Sequence, residues 1–416
     1  MERHSILSGR SRIEFDYDGP LIYPERGTQK IESNSPYEAL DDPEGAERLE
    51  LMAEKGPKIT IVIPDATRSW QNVILMAEAV RSRLDKVDRV DWVIGGGQHR
   101  LPTEEEKELL LGKAKRDRDH VYSHDPEIFI ETGLITSNGN SVTLHKKVLE
   151  ADSVVLIGGI VHHELAGFSG GRKAVIPGVS GKGSIIKNHS FCLDNGGINP
   201  MTDCGKLADN PVHQDMMEYI QLALKDKDVF ILNVIPDENG TPWRYVAGDL
   251  VRAWEKGVEI ARELQVLYVD HKMDFAIVSP GGHPYDLDLY QSTKSITAVK
   301  GALREGGMII MAAELEDGAG PGDYGEMVEL AMRDKAKLLN KLENEFTIPS
   351  FCAFKLVLDS ISNTLILVSS RNDINFPGMI CSNIQEALAI VKKRLGESAE
   401  GLVLKAGNCV VVTAEN

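Results

Sequence analysis

Four of the chain's eleven histidines, His99, His162, His163 and His189, stand in or beside glycine-dense stretches, at GGGQHR (95–100) and between Gly158 and Ser190. Neutral imidazole moves protons near pH 7 or ligates metal. The spacing matches neither HExxH nor a His–Cys zinc pattern, so both chemistries stay open. A lone loop histidine is ordinarily a surface residue; four along one set of loops form a pattern. Anion binding is the second chemistry. Between Gly158 and Ser190 stand four cations, Arg172, Lys173, Lys182 and Lys187, against one acid, Glu164. Glycines let backbone N–H groups approach an anion and lysines add charge, which suits a phosphate-bearing ligand. The run is neither GxxxxGK[ST] nor GxGxxG, and the alternative is a flexible surface loop. Arg68, in DATR (65–68), can grip a carboxylate or phosphate bidentately, and Lys294 can add a second charge. Gln291 and Lys294 lie three residues apart, on one face if 286–303 is helical.

These residues follow apolar runs. KITIVIPDATR (58–68), RVDWVIGGGQHR (89–100), SVVLIGGI (153–160), DVFILNVI (228–235) and MDFAIVSPGG (273–282) read as strands that end in polar residues. Continuous apolar runs suit parallel strands covered on both faces, and intervening helical patterns make the class α/β, doubly wound. Thr103 and Glu106 form a capping box opening a helix. Residues 254–269 read as a long helix, 306–314 and 405–414 as strands, and much of 325–359 as helical. The expected architecture is two α/β domains, 1–268 and 269–416, with mainly parallel, helix-covered sheets and a cleft between them. Ligands of open α/β sheets bind beyond the carboxyl ends of strands, where the residues above gather.

Composition narrows the function. Lys and Arg number 46 against 63 Asp and Glu, a net charge of −17, which argues against nucleic-acid and polybasic membrane-surface binding. No run reaches the ~18 apolar residues of a membrane helix, and the N-terminus has no signal-like apolar segment. Five cysteines (Cys192, Cys204, Cys352, Cys381, Cys409) lack any CxxC pair, so a reducing, cytoplasmic setting is expected.

Five motifs in order, DATR (65–68), GGGQHR (95–100), HHELAGFSGGRKAVIPGVSG (162–181), the following His189, and SPGGHPYDLDLYQSTK (279–294), resemble the nickel-dependent lactate racemases and their 2-hydroxyacid racemase homologues. The resemblance implies an isomerase that inverts a 2-hydroxyacid by hydride transfer through a 2-keto acid. It implies a nickel-pincer nucleotide, the nickel(II) pyridinium-3,5-bisthiocarboxylic acid mononucleotide or its thioamide form. Asp65, Ala66, Thr67 and Arg68 would contact that nucleotide. Lys173 would sit at its sulfur-bearing arm, and His189 would be the protein ligand to nickel. His99 and His163 would be the acid/base pair, one for each enantiomer. Gln291 and Lys294, with Arg68, would bind substrate. Removing hydride rather than a proton leaves a stable keto acid instead of a carbanion beside a carboxylate. A soft pincer plus one imidazole supplies the four ligands of square-planar nickel. The implied partners are a small anionic 2-hydroxyacid and, as suppliers, the cofactor biosynthesis enzymes.

The sequence departs from the family at Ser69-Trp70, where proline is common, at His162 beside His163, and at Arg172 before Lys173. These bear on which 2-hydroxyacid is used: Trp70 would reshape the pocket, and His162 and Arg172 would suit a polar or acidic substrate. The alternatives are a nickel-pincer nucleotide carrier without racemase activity, and an oxidoreductase on small hydroxyacids, which the missing GxGxxG disfavours.

Overall fold

The apolar runs become strands buried on both faces. The computed structural model describes residues 3–27, 30–194, 196–408 and 410–414. In the unit made of residues 29–192 and 199–264, the strands are β1 (Ile59–Pro64), β2 (Asp91–Gly95), β3 (His120–Ser123), β4 (Ser153–Gly159), β5 (Asp228–Pro236) and β6 (Pro242–Gly248). They lie in the order β3-β2-β1-β4-β5-β6. Five are parallel, and β6 closes the edge antiparallel to β5. This order is that of a doubly wound sheet, whose connections reverse direction between β1 and β4. Every residue of β4 is buried, which is why its sequence shows no alternation. The core beside it includes Ile61, Ile63, Trp92, Val155, Ile157 and Leu232.

The second unit comprises residues 1–28, 193–198 and 265–416. Its sheet contains β7 (Met273–Val278), β8 (Leu303–Ala312), β9 (Thr364–Val368), β10 (Met379–Cys381) and β11 (Gly401–Leu404). They are parallel, in the order β10-β9-β8-β7-β11, and the short strand Leu21–Ile22 pairs parallel with β11. Residues 1–28 and 193–198, read from the sequence as part of the first domain, thus fall in the unit of the C-terminal sheet. Backbone pairing such as Leu21 with Gly401 joins distant sequence and leaves no local signal.

Local readings hold where local chemistry decides. Thr103 and Glu106 form the capping box of helix Glu104–Leu111. Residues 324–362 are three helices, Tyr324–Arg333, Lys335–Asn344 and Ile348–Ser362. Two readings change. The stretch 254–269 is helix only over Arg252–Gln265, and Val266–Val269 is a strand paired with Val411–Ala414. The expected strand 405–414 is that separate strand, while the preceding β11 joins the main sheet. No disulfide forms among the described cysteines, and Cys409 lies outside the described residues. No helix among the described residues is long and apolar enough to cross a membrane.

One buried polar cluster braces the elements under the glycine-rich segment. Asp215, on helix Pro211–Leu224, is fully buried. Its carboxylate accepts from Thr136 Oγ1 (2.6 Å), Asn140 Nδ2 (2.9 Å) and Asn188 Nδ2 (2.8 Å). Asn188 immediately precedes His189. Removing the carboxylate strands three buried donors, each costing about 1–3 kcal/mol before relaxation. Asp215→Ala should therefore lose about 3 kcal/mol of stability, read as a lower urea midpoint with unchanged slope; a loss below about 1 kcal/mol would show that the cluster does not brace the fold.

Candidate active site

At the carboxyl end of β1, residues Ala66–Gln71 form a 3₁₀ turn. Asp65, nearly buried, caps this turn: its Oδ1 accepts from Thr67 N (3.1 Å) and Thr67 Oγ1 (2.5 Å). Its Oδ2 accepts from His99 Nδ1 (2.6 Å), so His99 presents Nε2 as the lone-pair nitrogen. Burial pushes the Asp65 carboxyl up, but the hydrogen bond and charge of His99, then the Thr67 hydrogen bond and the Arg68 charge, outweigh it and hold it below the usual carboxylate range. The His99 side chain is 45% exposed and Asp65 7%, the arrangement of a proton-exchanging ring oriented by a buried carboxylate.

The glycines of GGGQHR allow this approach. A Cβ on Gly96 would stand 2.9 Å from Asp65 Oδ2, and one on Gly95 would stand 2.9 Å from the Gly178 carbonyl. Gly97 N–H donates to that same carbonyl (3.2 Å). The His99 loop therefore rests on the segment that carries Lys173.

That segment begins beyond β4. His162 and His163 pair antiparallel with Phe168 and Gly167. A short 3₁₀ turn, Gly171–Ala174, follows and carries Lys173. Its start is pinned by Asn233 Oδ1, on β5, which accepts from Gly171 N (2.8 Å). Lys173 is half-buried. Burial, then the charges of Arg172 and Arg68, push its ammonium down to about 7, with Glu164 opposing, so an appreciable fraction is neutral amine at pH 7.

His189 lies on helix Lys182–Ser190 and is 3% exposed. Its Nδ1–H donates to Ile185 O (2.9 Å), leaving Nε2 as the lone-pair nitrogen. Burial, then the Lys173 charge, push it down to about 3, so the ring is neutral. Among the described residues no three His, Cys, Asp or Glu side chains form a metal cluster. A metal here would take one protein ligand and the rest of its shell from a bound group, and neutral, committed His189 fits that part.

The cations expected around the site divide. Arg68 and Lys173 influence one another electrostatically. Arg100, however, is committed to Glu106 through two contacts of 2.6 and 2.8 Å, and Lys182 pairs with Glu127 (2.7 Å). Trp70 packs against the apolar core of the first sheet. Arg172 is buried, with its guanidinium 4.1 Å from the Trp254 ring, and donates to backbone carbonyls. Gln291 and Lys294 stand in the other unit, where Lys294 Nζ donates to Gln291 Oε1 (2.7 Å) across the junction of helices Leu289–Ser292 and Lys294–Lys300. Asp288 caps the first helix by accepting from Gln291 N (2.7 Å). Sequence reasoning did not single out Asn233, Asp215 or the Asp65–His99 bond, because each joins residues far apart in the chain.

Beneath the segment lies a histidine pair. His124 Nε2–H donates to Ser180 O (2.9 Å), and His145, whose N–H donates to Val179 O (2.9 Å), meets the His124 ring edge-on at 5.7 Å. Burial, then the His124 and Lys147 charges, push His145 down to about 4, with Glu150 opposing. Below about pH 6.5 the unfolded chain takes up a proton that folded His145 refuses. The stability present above pH 6.5 should thus fall as pH drops toward 4, and His145→Gln should flatten that slope in urea titrations at stepped pH. An unchanged slope would remove His145 as its source.

Residues 23–199 match the lactate racemase N-terminal domain and residues 269–412 the lactate racemase C-terminal domain. The chain is 30% identical to a lactate racemase of Thermoanaerobacterium thermosaccharolyticum, covering 99% of both chains. It is 31% identical to one of Lactiplantibacillus plantarum, covering 90% of this chain and 89% of that one. The lactate racemase apoprotein structure from T. thermosaccharolyticum superposes with a TM-score of 0.84 at 28% identity, covering 99% of this chain and all of that one. A Thermotoga maritima protein shares the fold at a TM-score of 0.67 and 19% identity, covering 92% of this chain and all of that one. With both domains matched in order and a relative aligned along nearly its whole length, the chain belongs to the lactate racemase family, a family of isomerases.

Proposed function

We propose that the protein is a racemase or epimerase of a small 2-hydroxyacid such as lactate, working through the 2-keto acid with a nickel-pincer nucleotide as cofactor. The observation that carries this reading is the Asp65–His99 hydrogen bond, in a chain that also holds a neutral, committed His189 and a lysine pushed down to about 7.

The residues fit the cofactor. His189 Nε2 would be the protein ligand to nickel. Lys173, whose ammonium is pushed down to about 7, would sit at the sulfur-bearing arm, and Asp65, Ala66, Thr67 and Arg68 would contact the nucleotide. When bound, the cofactor supplies an electrophilic centre that can accept and return hydride. His99, oriented by Asp65, takes the hydroxyl proton, which lets the substrate carbon give up its hydrogen as hydride and become a planar keto carbon. Returning hydrogen to either face of that carbon yields either enantiomer. His163 is the second member of the proton-handling pair. Gln291, Lys294 and Arg68 bind the substrate carboxylate and hydroxyl. The N-terminal domain is assigned the cofactor and the C-terminal domain the residues Gln291 and Lys294.

Protein produced with the cofactor biosynthesis enzymes should contain nickel and interconvert the enantiomers of at least one 2-hydroxyacid in a chiral assay panel without added NAD. Asp65→Asn should keep the nickel content and lower kcat by roughly 10²–10⁴. Nickel-loaded wild type that inverts nothing in the panel would leave a cofactor carrier. Intact mass of wild type against Lys173→Ala reads whether the lysine is covalently joined.

A further inference from the structure

The turn that leaves β1 ends on a side chain with nothing to bond. Gln71 closes the 3₁₀ turn Ala66–Gln71 and is 5% exposed. Its Oε1 is sealed from solvent and meets no donor among the described residues. Its Nε2 is not sealed, and it too makes no hydrogen bond among those residues. An uncommitted buried amide costs stability, because water satisfies both of its ends in the unfolded chain. Native proteins bond nearly all such groups, so the exception asks what completes it.

The backbone holds this amide where it is. Asp65 caps the start of the turn, and Asn72, which follows Gln71, is left-handed (φ +52°, ψ +48°). Asparagine tolerates that conformation better than most residues, and here it opens helix Val73–Arg83. A Cβ on Gly159, the last residue of β4, would stand 2.9 Å from Gln71 Cδ and 3.0 Å from both Cγ and Nε2. Glycine there leaves the space that the amide fills. Gln71 therefore lies across the carboxyl ends of β1 and β4, the pair between which the connections reverse, where a doubly wound sheet takes its ligand. Arg68, on the same turn, also forms no hydrogen bond or ion pair among the described residues, although its charge reaches Asp65 and Lys173. The turn thus offers two sets of uncommitted N–H donors.

We infer that Gln71 is a further nucleotide-binding residue: its Nε2–H donates to an oxygen of the cofactor's phosphate, with Gly159 leaving room for the amide. The inference rests on the cofactor reading above. Phosphate carries several acceptor oxygens, and amide and guanidinium side chains are among its usual donors. The nearby carboxylate does not compete for Gln71, because the Asp65 oxygens already accept from Thr67 and His99. Binding gives the amide the partner that the fold withholds, so part of the cost carried by the free protein is recovered in the complex.

Gln71→Met keeps the side-chain length and removes the amide. Without cofactor its urea midpoint should equal or exceed that of wild type, since no hydrogen bond is lost; a side chain serving only the fold would lower it. Calorimetric titration with nicotinic acid mononucleotide, a pyridinium mononucleotide, should show at least about tenfold weaker binding to Gln71→Met, the loss expected for one hydrogen bond to a charged group. Gly159→Ala, which displaces the amide without altering it, should weaken binding likewise. Nicotinic acid riboside, which lacks the phosphate, should bind wild type and Gln71→Met alike. A lowered midpoint with mononucleotide binding within about twofold of wild type, or a penalty that persists with the riboside, overturns the inference. Wild type that binds no nicotinic acid mononucleotide overturns the phosphate contact; only wild type that also takes up no nickel when produced with the cofactor biosynthesis enzymes overturns the cofactor reading.

Discussion

Strands β1 and β4 lie side by side, with Val62 opposite Leu156, yet some ninety residues of chain separate them. Their connections leave in opposite directions, so the space beyond their carboxyl ends is not filled by a crossing helix. Everything proposed for the first unit follows from that geometry. Asp65 leaves β1, the histidine turn leaves β4, and the neighbouring β2 and β5 contribute His99 and Asn233. Because β4 is buried along its whole length, its register with β1 and β5 cannot slip without moving apolar side chains out of the core. The rigid sheet sets the separation of the loops, and the loops need only close contacts to complete it.

Those contacts are made largely by backbone. The Gly178 carbonyl supports the His99 loop, and the peptides of the 163–168 turn orient a histidine and are themselves held by Asn210 and Arg172. Backbone groups of this kind cost no side-chain entropy to order, which suits a site that must hold charge in place. The acidic protein surface and the site have opposite characters. Arg172 and Arg68 lie close enough for their charges to act on Lys173, and burial lowers the affinity of Lys173 and His189 for protons. An anion bound there would regain part of what burial costs these cations.

Much of this was readable in the chain. Continuous β-branched runs report burial on both faces, and the polar residues after them mark a ligand-binding edge, so 58–64, 153–160 and 273–278 needed no partner to be recognised. The capping box at Thr103 is local and was equally legible. The strand Val266–Val269 was read as the end of a helix because its pairing with Val411–Ala414 is remote and outweighs the helical pattern of the residues before it.

The sequence by itself determined the α/β class, the set of polar residues at strand ends and the motifs that the family shares, since all three are written in residue type and spacing. Only the tertiary structure decided which atom of each group is available. Whether a histidine offers a lone pair or a proton depends on what its other nitrogen meets, for His99 a carboxylate 34 residues away. Whether a lysine is an ammonium or an amine depends on burial and on neighbouring charge. Spacing along a chain carries neither, because both are properties of the space the chain encloses.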